Sequence, residues 1–164
     1  MTAADVPAVV AIDAACFPSS RHGQDSLPAP DQRFLEELSR PWSHAWVIRD
    51  GTRAIAFLLV WVVADEMHVL NLATDPATRR RGIGTSLVAT ALAFARAGGT
   101  RHVLLEVRRS NESAIRLYRA AGFFVSGIRS RYYPNDEDAV EMALLLDPRT
   151  GEVVSRADEA SIHA

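Results

Sequence analysis

Asp75-Pro76-Ala77-Thr78-Arg79-Arg80-Arg81-Gly82-Ile83-Gly84-Thr85 joins two segments of opposite periodicity. Before it, Met67 to Thr74 reads as a strand closed by Asp75-Pro76. After it, Gly84 to Ala97 repeats apolar residues at Leu87, Val88, Ala91, Leu92 and Ala95, the spacing of one helix face, and Gly98-Gly99 stops it. The first amides of a helix have no partner in the helix and carry partial positive charge, so such a junction suits a phosphate. Gly82 and Gly84 allow the backbone to approach an anion, and Arg79, Arg80 and Arg81 add charge beside it. Two rival phosphate motifs fail. A dinucleotide fingerprint needs a third glycine where Leu87 stands, and a P-loop needs Gly-Lys-Ser/Thr.

Outward from this junction the chain alternates helices and strands. Asp5 to Phe17 reads as a first helix capped near Thr2. Pro18 to Pro30 is a Ser-, Gly- and Pro-rich loop, and Asp31 is placed to cap a second helix, Gln32 to Ser39, ended by Pro41. Ala45 to Arg49 and Ala54 to Ala64 read as strands around an Asp50-Gly51 turn. Beyond the junction, His102 to Val107 is a buried strand and Asn111 to Ala121 a helix with Gly122 at its end. Phe123 to Tyr132 and Ala139 to Leu146 read as two strands joined at Pro134-Asn135-Asp136, and the polar tail from Asp147 is expected to be mobile. The expected fold is one mixed α/β domain with a central sheet over residues 1–146, followed by a polar tail over 147–164.

Charge is distributed unevenly. All 18 basic residues are arginine, and the net charge is −2. Residues 1–78 carry −5, residues 79–131 carry +9 and residues 132–164 carry −6. A basic block in a mildly acidic chain points to an anionic partner, although Arg96, Arg101, Arg116 and Arg119 also fit solvated helix faces. No helix-turn-helix pattern or aromatic-interleaved basic motif speaks for nucleic acid. No apolar run reaches the length of a membrane span, and Met1-Thr2-Ala3-Ala4-Asp5 lacks the layout of a secretory signal. The one cysteine, Cys16, excludes an internal disulfide and fits a reducing, cytoplasmic setting; among Ala14, Ala15 and Phe17 it reads as a small core residue. No metal-ligand pattern is expected.

The downstream strand and helix carry acid–base candidates. Glu106 sits at the end of an otherwise apolar run, where burial would raise its pKa and suit it to base work; pairing with Arg108 or Arg101 at the rim is the structural alternative. Tyr118 shares a helical stripe with Ala114 and Ala121, so it is a candidate acid or a core tyrosine. Asn111 is a ligand candidate or the helix N-cap.

Arg79-x-x-Gly82-x-Gly84 resembles the pyrophosphate-binding loop of the GNAT acyltransferase superfamily. Glu106-Val107-Arg108-x-Ser110-Asn111-x-x-Ala114-Ile115-x-Leu117-Tyr118-x-x-x-Gly122-Phe123 resembles the RimI-type ribosomal-protein N-terminal alanine acetyltransferases within it. So do Asp65-Glu66 with Asn71-Leu72-Ala73 and Asp75-Pro76, and Ile128-Arg129-x-Arg131-Tyr132-Tyr133-Pro134 with Glu137-Asp138-Ala139 and Met142-Ala143-Leu144. The likeness runs over roughly residues 45–146. It implies a GNAT-like domain whose mostly antiparallel mixed sheet is flanked by about four helices. It also implies Glu106 as general base, with Glu66 as the rival, and Tyr118 as general acid. Acetyl-CoA would lie against Leu72, Ala73, Thr74, Arg79, Arg80, Arg81, Gly82, Ile83, Gly84 and Asn111. The implied acceptor is a protein N-terminus, a ribosomal protein's first; a lysine or small-molecule amine, or a non-catalytic acetyl-CoA-binding role, are the alternatives. The resemblance departs at Phe17-Pro18, which the family follows with Trp and this chain with Ser19-Ser20.

Overall fold

The computed structural model describes residues 1–17 and 29–154; the expected loop from Pro18 falls almost wholly outside them, as does the tail beyond residue 154. Four α-helices and six strands occur among the described residues: α1 Val6–Cys16, α2 Pro30–Ser39, β1 Ser43–Asp50, β2 Arg53–Val63, β3 Glu66–Thr74, α3 Ile83–Ala97, β4 His102–Arg108, α4 Glu112–Ala120, β5 Phe124–Arg129 and β6 Ala139–Leu145. This is the mixed α/β architecture anticipated, with antiparallel pairing of β1 with β2, β4 with β6 and β5 with β6. No described helix is long and apolar enough to cross a membrane. The chain forms two compact units, one of residues 1–62 and 69–88, the other of residues 63–68 and 89–164.

In the first unit the strands run in the order β1-β2-β3. Val6, Val9 and Ile12 recur at helical spacing on α1 and form a core with Phe34 of α2, Phe57 and Leu59 of β2 and Ala73 of β3. Phe34 meets Phe57 edge-on with centroids 5.5 Å apart. The start of the chain is fixed by Asp5, whose Oδ2 accepts from the Thr2 amide at 2.8 Å and from Arg49 Nη2 at 2.7 Å. Helix α2 begins earlier than its sequence suggested. Pro30 occupies the first helical position, where its missing N–H costs nothing, so Asp31 lies in the first turn and makes no cap.

In the second unit the strands run in the order β4-β6-β5. Val103, Leu105 and Val107 are buried on one face of β4, which turns Leu104, Glu106 and Arg108 to the other. Asn111 caps α4 through Oδ1, which accepts from the Ala114 amide at 3.2 Å. The helix ends in a Schellman turn: Phe123 N–H donates to Tyr118 O and Gly122 N–H to Arg119 O, both at 3.0 Å. Gly122 takes φ of 99°, where a side chain would be strained.

Two boundaries differ from expectation. Strand β5 stops at Arg129, three residues short of Tyr132, because Arg131 turns left-handed (φ 52°) and gives its amide to Asp138 Oδ1 at 2.9 Å. The tail from Asp147 is also not free over its described part. Leu146 bridges to Val153, and the Val154 amide donates to Leu145 O at 2.9 Å.

Candidate active site

The strand–loop–helix junction lies in the first unit. At the end of β3, Ala73 is buried and Leu72 and Thr74 are half-buried. Asn71 Nδ2 donates to Asp13 Oδ1 at 3.1 Å, and Cys16 Sγ meets Thr74 O at 3.4 Å, so α1 braces this strand end. Asp75 accepts from the Ala77 amide at 3.0 Å and pairs with Arg53, which fixes the 3₁₀ turn Pro76–Thr78. The chain then goes left-handed at Arg80 (φ 63°) and at Gly82 (φ 74°). A Cβ built on Gly82 would meet nothing within 4 Å, so the glycine is demanded by the turn and opens onto space. Gly82 O accepts the first helical hydrogen bond, from the Ser86 amide at 3.0 Å. The amides of Ile83, Gly84 and Thr85 therefore precede that bond and carry the positive end of α3. Arg80 and Arg81 are exposed beside them. Arg79 is turned back instead, its guanidinium against Cys16 Sγ (3.2 Å) and Thr74 O (3.4 Å). The donor set — consecutive backbone amides, an open glycine turn and two arginines — fits a pyrophosphate.

The acid–base candidates lie in the second unit. Glu106 is not buried, contrary to the reading of its apolar neighbours; strand alternation turns it to the open face of β4. Its partners are Arg129, whose Nη1 bonds Oε1, and the Tyr132 hydroxyl. That hydrogen bond to a carboxylate pushes the Tyr132 hydroxyl pKa up. The rival carboxylate, Glu66, pairs with His68 Nε2 at 3.0 Å. Tyr118 is 5% exposed, packed edge-on against Phe123 with centroids 5.4 Å apart. Burial pushes its hydroxyl well above the usual phenol value, so it keeps its proton. Asn111 Oδ1 accepts from the Ala114 amide and from the Ser113 hydroxyl at 3.1 Å, which leaves its amide nitrogen as the remaining polar group of the side chain.

Tyr132 and Tyr133 follow β5 in a turn, so they do not alternate between faces of a strand. Their rings meet edge-on at 5.2 Å; Arg129 lies 5.0 Å from the Tyr132 ring and Arg108 3.9 Å from the Tyr133 ring. Tyr132 is exposed and Tyr133 half-buried. Glu137 and Asp138 spend their charge internally. Glu137 accepts from the Ser110 hydroxyl (2.5 Å) and amide (2.9 Å) and from Arg108 (2.9 Å), bonds that hold its pKa down at about 2. Asp138 takes the Arg131 amide and Arg109. Sequence reading missed Arg129 and Glu141, which reach this cluster only through strand register.

The first unit thus presents an arginine-flanked glycine turn opening a helix, and the second a strand carboxylate followed by a helix with a buried tyrosine. Residues 6–123 match the family model described as the acetyltransferase (GNAT) family. The [ribosomal protein bS18]-alanine N-acetyltransferase of Escherichia coli strain K12 is 34% identical over 122 residues, covering 73% of this chain and 82% of that one. The crystal structure of the ribosomal-protein-S18-alanine N-acetyltransferase from Escherichia coli superposes with a TM-score of 0.72 at 31% identity, covering 87% of this chain and 88% of that one. The structure of yncA from Salmonella typhimurium with its cofactor acetyl-CoA shares the fold, with a TM-score of 0.75 at 20% identity over 90% of this chain and 91% of that one. The chain belongs to the GNAT acetyltransferase family and is an N-acetyltransferase.

Proposed function

We propose that this enzyme moves the acetyl group of acetyl-CoA to the α-amine of a protein N-terminus, with the N-terminal alanine of ribosomal protein bS18 as the leading acceptor, in the cytoplasm. Support for the acceptor is the likeness to the bS18-alanine enzyme over most of the chain. The chemistry is suited to it. An α-amine titrates near 8 and a lysine near 10.4, so freeing a lysine amine at neutral pH costs about 3 kcal/mol more. One surface carboxylate is then sufficient as base.

Acetyl-CoA supplies the thioester; the protein's residues do the rest. The amides at the start of α3, with Arg80 and Arg81, hold the pyrophosphate, and Arg79 braces the loop while Asn111 offers its amide. Backbone amides of Leu72, Ala73 and Thr74 polarise the thioester carbonyl. Glu106, directly or through one water, takes the proton from the acceptor ammonium. The neutral amine attacks the carbonyl carbon, the C–S bond breaks, Tyr118 gives its proton to the departing sulfur, and the second proton of the nitrogen is lost as the amide forms, through water, restoring the Tyr118 hydroxyl. The observation that carries this reading is that one unit holds both Glu106, on the open face of β4 beside Arg129, and a buried, protonated Tyr118 on α4.

Acetyl-CoA is incubated with a peptide beginning with Ala, and with the same peptide N-terminally blocked and carrying an internal lysine. The expected result is at least tenfold faster transfer to the free α-amine, located by mass spectrometry. Equal rates on the two peptides would overturn the assignment and leave a generic amine acetyltransferase.

A further inference from the structure

We infer that Glu141 is a positioning residue: it keeps Arg129 from closing entirely on Glu106, and so leaves Glu106 open to the acceptor's ammonium. This rests on the reading of Glu106 as the base.

The registers of three strands build the arrangement. Glu106 on β4 lies directly opposite Glu141 on β6, and Glu141 lies directly opposite Gly127 on β5. Two like charges across a strand pair repel, so this row needs compensation. Arg129, two residues beyond Gly127 and so on the same face, provides it. Its Nη1 bonds Glu106 and its Nε lies 3.3 Å from Glu141 Oε1. The Tyr132 ring holds the guanidinium from a further side.

Gly127 shows that the place of Glu141 is built in. A Cβ there would collide with Glu141 Oε2 and would also meet Cδ at 3.5 Å. Gly127 is not among the positive-φ glycines, so backbone freedom does not explain it. The missing side chain is the space that the carboxylate fills.

Two carboxylates and one guanidinium leave the cluster with one uncompensated negative charge. That surplus complements an arriving ammonium, which can share Glu106 while Arg129 stays anchored on Glu141. With Glu141 neutral, Arg129 and Glu106 would satisfy each other, and the acceptor would have to displace an arginine.

Peptide and acetyl-CoA kinetics are measured for Glu141→Gln, Arg129→Gln, the double variant, Gly127→Ala and Glu106→Gln. Glu141→Gln should raise the peptide KM roughly three- to tenfold, the scale of one partly exposed charge pair. Its kcat and its acetyl-CoA KM should stay within about twofold, a split that general loosening would not give. In the Arg129→Gln background the same substitution should add less than about twofold, because its effect runs through Arg129. Gly127→Ala moves only the far end of a flexible side chain, so it should fold and raise the peptide KM in the same direction. A Glu141→Gln variant with wild-type peptide KM overturns the inference, as does a KM rise that persists undiminished without Arg129. The parallel Glu106→Gln variant separates the two layers. If it turns over normally, the base assignment has failed; if it is inactive while Glu141→Gln is normal, only the role of Glu141 has failed.

Discussion

Replacing Tyr118 by phenylalanine removes one oxygen from a position that is 5% exposed and leaves the ring that meets Phe123 at 5.4 Å. Because the ring remains, the packing loss should be small, with stability changing by no more than about 1 kcal/mol. A general acid's loss is of another size, roughly 10²–10⁴-fold in kcat, or about 3–5 kcal/mol on the barrier. The two scales separate the roles. If the hydroxyl protonates the leaving sulfur, Tyr118→Phe melts like the wild type, binds acetyl-CoA normally and turns over at least a hundredfold more slowly. If Tyr118 is a core residue only, turnover follows stability and barely moves. Thiol release followed in a chromogenic assay, alongside a thermal melt, reads both. Tyr118→Ala serves as the packing control and should cost about 3–5 kcal/mol of stability, as truncated buried aromatics do. Since burial raises the hydroxyl's pKa, Tyr118 should remain protonated through pH 10, and kcat should show no alkaline limb from its titration. A folded Tyr118→Phe variant with wild-type kcat would refute the assignment.

Gly84→Val, in the first turn of α3, should obstruct an anion approaching the helix start and weaken acetyl-CoA binding by at least about tenfold in calorimetric titration, with the fold retained. Tyr132→Ala should raise peptide KM more than Tyr133→Ala, because Tyr132 is exposed beside Glu106 while Tyr133 is half-buried against Arg108; acetyl-CoA affinity should not follow. Glu137 should make the protein acid-sensitive. Its folded pKa of about 2 lies below the ordinary 4.5, so the stability it contributes is complete above that ordinary value and is lost as pH falls from there toward 2. Melting temperature against pH should therefore be flatter in Glu137→Gln over that window, and an unchanged slope would remove Glu137 from the account.

How much of this was legible in the residues follows from the range of each interaction. The junction at 74–85 was readable because its signals are local: a strand ending at Asp75-Pro76, a glycine (Gly82) where the turn goes left-handed, and a helical stripe beginning at Leu87. Asn111 and Gly122 were equally local, one a cap and the other the close of a Schellman turn. For Glu106 the residues left burial and an arginine-paired rim position both open; alternation of Val103, Leu105 and Val107 places it on the opposite face, and its arginine is Arg129 rather than Arg108 or Arg101. Strand β5 was drawn too long, to Tyr132, because the event that ends it is a contact of the Arg131 amide with a carboxylate seven residues on. Glu141, Gly127 and Arg129 could not be grouped at all. Their meeting depends on the registers of β4, β5 and β6, which no spacing along one strand records.

The return of residues 147–154 onto β6 bears on how far the enzyme can be trimmed. Val153 stands over Gly122, within 3.6 Å of where a Cβ would be, and Gly151 O accepts from Arg96 Nε of α3 at 2.8 Å. A protease cutting after Leu146 would therefore take away the partner of that residue, now 3% exposed, and uncover the turn where the helix bearing Tyr118 ends. A chain shortened to 146 should lose heat resistance before it loses any residue assigned to the chemistry.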